Sequence, residues 1–188
     1  MQYVNIVIPI IAVSLSAWLT YYLTARHFRK QKWFEFDQRR LDEFYGPMFN
    51  LIKQVRANTE TSAKISEVSD QAWQEFCGRQ PHPFEDHYKY FEPFNKALDY
   101  EDERFHREDI PTLDKMLGIF KSKGHLAYPS TENLFPSFLQ YVDQFHRPLP
   151  YEVWKKLNLT AEPLANLSAD IEAHVDNLRR KLSGDKRS

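Results

Sequence analysis

The stretch VNIVIPIIAVSLSAWLTYYLT, from Val4 to Thr24, contains no charged residue. At about 1.5 Å of rise per helical residue it is roughly 30 Å long, the thickness of a bilayer's hydrocarbon core. This length and composition predict one transmembrane helix followed by a polar, water-facing remainder. A cleaved signal peptide needs a basic n-region, a short apolar core and a small-residue cleavage site. No Lys or Arg precedes Arg26, and the apolar run is too long for a signal core. The stretch reads as an anchor.

Its flanks give an orientation. Trp18, Tyr21 and Tyr22 cluster near its C-terminal end and Tyr3 marks the other, as expected of rings that favour the headgroup layer. Arg26, Arg29, Lys30, Lys32, Arg39 and Arg40 follow, offset only by Glu35 and Asp37. Cations beside a span stay on the cytoplasmic side. The expected topology is single-pass in the cell (inner) membrane, with the N-terminus outside and residues from about 26 onward in the cytoplasm. Within the span Ala12, Ser16, Thr20 and Thr24 recur every four residues. Such a small-residue ridge lets two helices approach closely and so permits self-association into a homo-oligomer, while ordinary turnover of small residues in an anchor gives the same pattern. Pro9 removes one backbone hydrogen bond and predicts a mild kink.

The chain has 188 residues, leaving enough outside the membrane for one domain with its own core. Five glycines argue against β-hairpins and phosphate-binding loops, whereas aromatics at 15 % recur at helical spacing. A formal net charge of −1 provides no basic field that would attract nucleic acid. The single cysteine, Cys77, rules out an intramolecular disulfide and suits a reducing cytoplasm.

The expected fold class is all-α: an N-terminal transmembrane helix followed by an irregular cytoplasmic helical bundle. Trp33, Phe36, Arg40 or Leu41, Phe44, Met48, Leu51 or Ile52, and Val55 return at steps of three and four. They predict a helix that continues the span, with Gly46-Pro47 as a joint, because Pro47 cannot donate to the carbonyl of Glu43. A more polar helix is expected over 56–77, ended at Gly78, and an aromatic-rich one over 84–105. Ile110 to Lys123 carries Leu113, Met116, Leu117 and Phe120 on one stripe, with Asp109 as a cap and Pro111 in the first turn. Another helix is expected from a Ser130 or Thr131 cap through Phe145, with Pro136 near its first turn, and a short one over 151–157. Ala161 to Leu182 has one apolar face. The division is 1–25 anchor, 26–57 basic juxtamembrane helix, 58–182 bundle and 183–188 basic tail.

Chemistry-bearing patterns are few. Glu103-Arg104-Phe105-His106 and Asp143-Gln144-Phe145-His146 each place an acid and a histidine on one helix face. Two such pairs on facing helices are half of a di-iron carboxylate site. Glu103, His106, Asp143 and His146 are therefore the metal-ligand candidates, and no cofactor is otherwise expected. His82 and His87 flank a proline-rich loop. A Ser-His-Asp constellation is recognised by geometry and not by spacing, so it stays open here. No nucleotide-binding, zinc-protease or hydrolase motif occurs. The second basic cluster, Arg179, Arg180 and Lys181, could meet an anionic membrane surface or favour its own helix terminus.

These readings predict a membrane-anchored interaction, scaffold or sensor module, with the bilayer and protein partners but no nucleic acid. The alternatives are a membrane-tethered carboxylate–histidine metalloenzyme, an accessory subunit of a larger membrane complex, or an oligomerising membrane-active effector.

Overall fold

The computed structural model describes residues 4–79, 87–147 and 160–184, with side chains from residue 16 onward except at 87–91, 93 and 94. Six α-helices occupy these segments: α1 (Val4–Arg40), α2 (Gly46–Arg79), α3 (His87–Arg104), α4 (Ile110–Lys123), α5 (Pro129–Phe145) and α6 (Glu162–Ser183). No strand occurs among the described residues, so the all-helical expectation holds. The loop with His82, the short helix expected over 151–157 and the last residues of the basic tail lie outside the described residues.

Two pairs of helices are joined without a break. A π-turn at Leu41–Tyr45 carries α1 into α2, and a second at Phe105–Asp109 carries α3 into α4. Each ends two residues before a proline, Pro47 or Pro111. The intervening residue, Gly46 or Ile110, donates its N–H to the carbonyl five residues back, on Leu41 or Phe105. A proline lacks the donor for the carbonyl four residues back and its ring presses on that group. A widened turn relieves this while keeping the helix intact. Proline alone does not produce the turn, because Pro136 lies well inside α5 without one. It also lies deeper in the helix than the place near the first turn expected for it.

Several expected boundaries shift. Asp109 makes no side-chain cap on α4, because the chain is already helical when it arrives there. Pro129 begins α5, and neither Ser130 nor Thr131 acts as a side-chain cap. Helix α2 runs through residues 57 and 58 to Arg79, so Gly78 does not end it, and the juxtamembrane and bundle segments share one rod.

The core forms around the first π-turn. Phe44, Tyr45 and Met48 are wholly buried, with Ile52 and Val55 continuing the stripe along α2. Against them pack Leu113, Met116 and Phe120 of α4, Phe138 and Val142 of α5, and Leu167, Ile171, Val175 and Leu178 of α6. Phe44 meets Phe120 edge to face at 5.2 Å between centroids. Each buried side chain of this size contributes about 1.5–3 kcal/mol relative to exposure. Helix α6 runs antiparallel to the α1–α2 rod, since Arg56 pairs with Glu172 while Asp37 meets Lys181.

The outer part of α1 takes no share in this core. From residue 16 to residue 35 every side chain is exposed except the half-buried Ala25. Trp18, Leu19, Tyr21, Tyr22 and Leu23 are at least half exposed, and so are Phe28 and Trp33. Among the described residues, no helix is long and apolar enough to cross a membrane. The most apolar part of the Val4–Thr24 stretch, residues 4–15, is helical, but its side chains lie outside the described residues.

Candidate functional site

The basic face of α1 is built by helical spacing alone. Steps of four and three carry the chain from Tyr22 to Arg26, Arg29, Lys30 and Trp33, which puts these side chains on one side of the rod. They enclose a shallow recess of about 410 Å³. The acids nearest in sequence are engaged elsewhere. Glu35 accepts from Gln31 Nε2 at 3.0 Å, and Asp37 is shared between Arg40 and Lys181, each at 3.7 Å. Lys32 points away from the recess, over the Phe28 ring at 5.1 Å. On the proposed self-association ridge, Thr20 donates its hydroxyl to the Ser16 carbonyl at 2.8 Å, so that hydroxyl already has a partner within its own helix. Thr24 is exposed, and the Ala12 side chain lies outside the described residues.

The second basic cluster is only partly joined to the first. Because α6 runs antiparallel to the rod, its C-terminal turn approaches α1. Lys181 reaches Asp37, Arg179 lies over the Phe49 ring at 5.5 Å, and Arg180 donates to its own helix at the Asp176 carbonyl. Helix α6 ends at Gly184, whose φ of 72° is the left-handed conformation that glycine adopts without strain.

Gly46 and Pro47 sit at the edge of the most buried region of the molecule. One residue earlier, Tyr45 enters a polar network that sequence reasoning missed. Its hydroxyl accepts from the Tyr128 backbone N–H at 2.8 Å and bonds the Thr131 hydroxyl at 2.9 Å. Thr131 donates onward to Asp170 Oδ2 at 2.5 Å. Burial pushes the Tyr45 phenol up to about 12. His174 stacks on Tyr128 with centroids 4.3 Å apart, and Arg40 lies over the same ring at 4.1 Å. The network joins α1, the π-turn, α5 and α6. Among the described residues the Arg40 Nε and Tyr128 hydroxyl are buried without a hydrogen-bond partner; Arg40 is held by the Phe36 and Tyr128 rings and by its ion pair with Asp37.

This cluster contains Ser130, His174 and Asp170, but not as a catalytic triad. Ser130 Oγ lies 2.9 Å from His174 Nε2, and Asp170 Oδ1 lies 3.5 Å from that same nitrogen. A triad needs the acid on the opposite ring nitrogen, where it orients the base for the serine. Here serine and acid share one nitrogen, so the arrangement fixes packing and supports no proton relay.

The two acid-x-x-His motifs do meet, through their phenylalanines. Phe105 packs edge to face on Phe145 at 5.2 Å. Their histidines diverge: His106 faces Asp102 at 3.9 Å and His146 faces Asp114 at 2.9 Å, both on the surface. Asp143 pairs with Arg147 and Glu103 is exposed. Among the described residues, no three His, Cys, Asp or Glu side chains converge as a metal site would require.

A further polar cluster ties α2 to α3 and the second π-turn. The buried Arg104 donates to Glu101 at 2.8 Å, to the Ser62 hydroxyl at 2.5 Å and to the Asn58 carbonyl at 3.2 Å. The Ser62 hydroxyl and the Arg104 guanidinium hold the Glu101 carboxyl below its ordinary range. Asn58 donates to buried Asp109 at 2.6 Å. Every member answers another, which is how a buried charge is tolerated. No protein-family model, curated protein or solved structure matches this chain.

Proposed function

We propose that the protein is a single-pass membrane-anchored helical module whose bundle binds other proteins at the cytoplasmic surface, as a scaffold or sensor, and that it self-associates through the span. The observation that carries this reading is the outer part of α1. Trp18, Leu19, Tyr21, Tyr22 and Leu23 project from the rod with no bundle residue covering them, directly after the uncharged residues 4–15. So many exposed large apolar side chains on one segment call for lipid or a partner to cover them. The aromatic-then-basic order along α1 matches a helix leaving the headgroup layer on the cytoplasmic side. Continuity of α1 with the π-turn supports the sensor reading, because a displaced span would act directly on Phe44, Tyr45 and Met48.

The test is membrane extraction of the full chain. Resistance to alkaline and high-salt washing, with release by mild detergent, is the expected result. Release by the wash alone would overturn the anchor. The single cysteine then reports sidedness: a membrane-impermeant maleimide should reach Cys77 only after the cells are opened. Size analysis of the detergent extract, with mass spectrometry of what accompanies it, separates a homo-oligomer from a complex with foreign subunits.

A further inference from the structure

We infer that Arg26, Arg29 and Lys30, framed by Tyr22 and Trp33, form a binding site for the phosphate of an anionic lipid headgroup; this rests on the membrane-anchored reading above. Three cations project from two turns of one helix into a common recess. Among the described residues none of the three has an ion-pair partner, whereas Arg79, Lys96 and Arg147 of the bundle each pair with an acid one turn away. Uncompensated like charges at positions i, i+3 and i+4 destabilise a helix. An anion bound between them reverses the sign of that term.

The chemistry of the frame selects the class of anion. Guanidinium forks bind phosphate through paired N–H donors, and the lysine adds a mobile point charge. Tyr22 and Trp33 bracket the cations at both ends, each with an apolar body and a polar tip, which suits the boundary between acyl chains and water. Lys181 approaches the same side of the rod through Asp37, one helical turn beyond Trp33, so the end of α6 adds positive field near the site while Asp37 stays neutralised.

The experiment uses the full chain reconstituted into phosphatidylcholine vesicles that contain a trace of spin-labelled lipid. The motionally restricted fraction of the label reports the relative association of each headgroup with the protein. Labelled phosphatidate and phosphatidylglycerol should associate more strongly than labelled phosphatidylcholine. Each of R26Q, R29Q and K30Q should lower that preference about five-fold, and the triple variant should bring it close to unity. The control K64Q/K115Q/K121Q removes the same charge from exposed bundle positions and should leave it unchanged. A preference that survives the triple variant, or falls equally in the control, overturns the site. Inorganic phosphate that abolishes the preference would reassign the site to a soluble anion and overturn the lipid assignment. Failure of the chain to enter vesicles at all would overturn the anchor itself, a distinguishable result.

Discussion

Gly46 donates its backbone N–H to the Leu41 carbonyl, and a Cβ placed on Gly46 would lie 2.8 Å from that same oxygen. The π-turn at the centre of the core therefore requires glycine, for closeness of approach and not for an unusual φ. Ala normally stabilises a helix interior by about 1 kcal/mol over Gly. At Gly46 the sign reverses, since the atom in the way is backbone and cannot step aside. We expect Gly46→Ala to destabilise by about 1–2 kcal/mol. Gly118, in the middle of α4, has nothing within 4 Å of its virtual Cβ, so Gly118→Ala should stabilise by about 0.5–1 kcal/mol. Chemical denaturation of both variants checks the pair, and equal shifts of one sign would refute it.

Tyr45→Phe tests the polar network. The substitution strips a partner from both the Tyr128 N–H and the Thr131 hydroxyl, in a place water does not reach. A loss of about 1–3 kcal/mol is expected from groups left unsatisfied. A change under 0.5 kcal/mol would mean that Thr131 and Asp170 hold the junction without it.

The same tyrosine predicts alkaline sensitivity. Its ordinary pKa of 10.0 rises to about 12 in the folded chain. Between those values the unfolded chain has lost the proton that the folded chain keeps, so stability falls as pH rises. The melting temperature should decline from pH 10 towards 12, and Tyr45→Phe should flatten that decline. An unchanged slope in the variant would assign the effect to other tyrosines, such as Tyr141, whose phenol burial also raises.

Acid acts at the opposite side of the π-turn. Glu43 accepts from Lys123 at 2.6 Å and from Arg39 at 3.0 Å, and these cations hold its carboxyl near 2, against an ordinary 4.5. A depressed folded pKa contributes stability that is present above the unfolded value and is lost as pH falls through the folded one. The loss should therefore occur between about pH 4.5 and 2. Lys123→Met should move it to higher pH and shrink it. Because the pair is partly solvated, added salt should weaken the effect in the parent chain.

Arg104→Met should cost about 2–4 kcal/mol despite the similar length of the side chain. It removes the partner of Glu101 and leaves the Ser62 hydroxyl and the Asn58 carbonyl with one bond fewer in a nearly dry site. Hydrogen exchange should show protection lost first where α2 meets α3. Uniform loss across the bundle would contradict a local role.

Helical spacing was enough to find α4 nearly residue for residue, and α6 within one residue at each end, because an apolar stripe of period 3.6 is a local property. Local rules did not show the π-turns. Pro47 was legible as an irregularity in a long helix, whereas Asp109 read as a cap and is instead the last residue of the second π-turn. The candidate ligands divided similarly. The cations of α1 share a face by spacing alone, whereas Glu103, His106, Asp143 and His146 needed the fold to show that Phe105 and Phe145 are what meet.

By itself, then, the sequence determined that the chain is helical, which faces are apolar, and that the uncharged residues 4–24 precede a cluster of cations. Only packing brought Tyr45, Tyr128, Thr131 and Asp170 into one network, with Tyr45 and Thr131 86 positions apart, and set Arg104 between Asn58 and Glu101. Periodicity records which side of a helix is apolar, because that preference repeats every turn. It carries no record of which distant hydroxyl or carboxylate will answer a buried donor, since that is settled only when the helices pack.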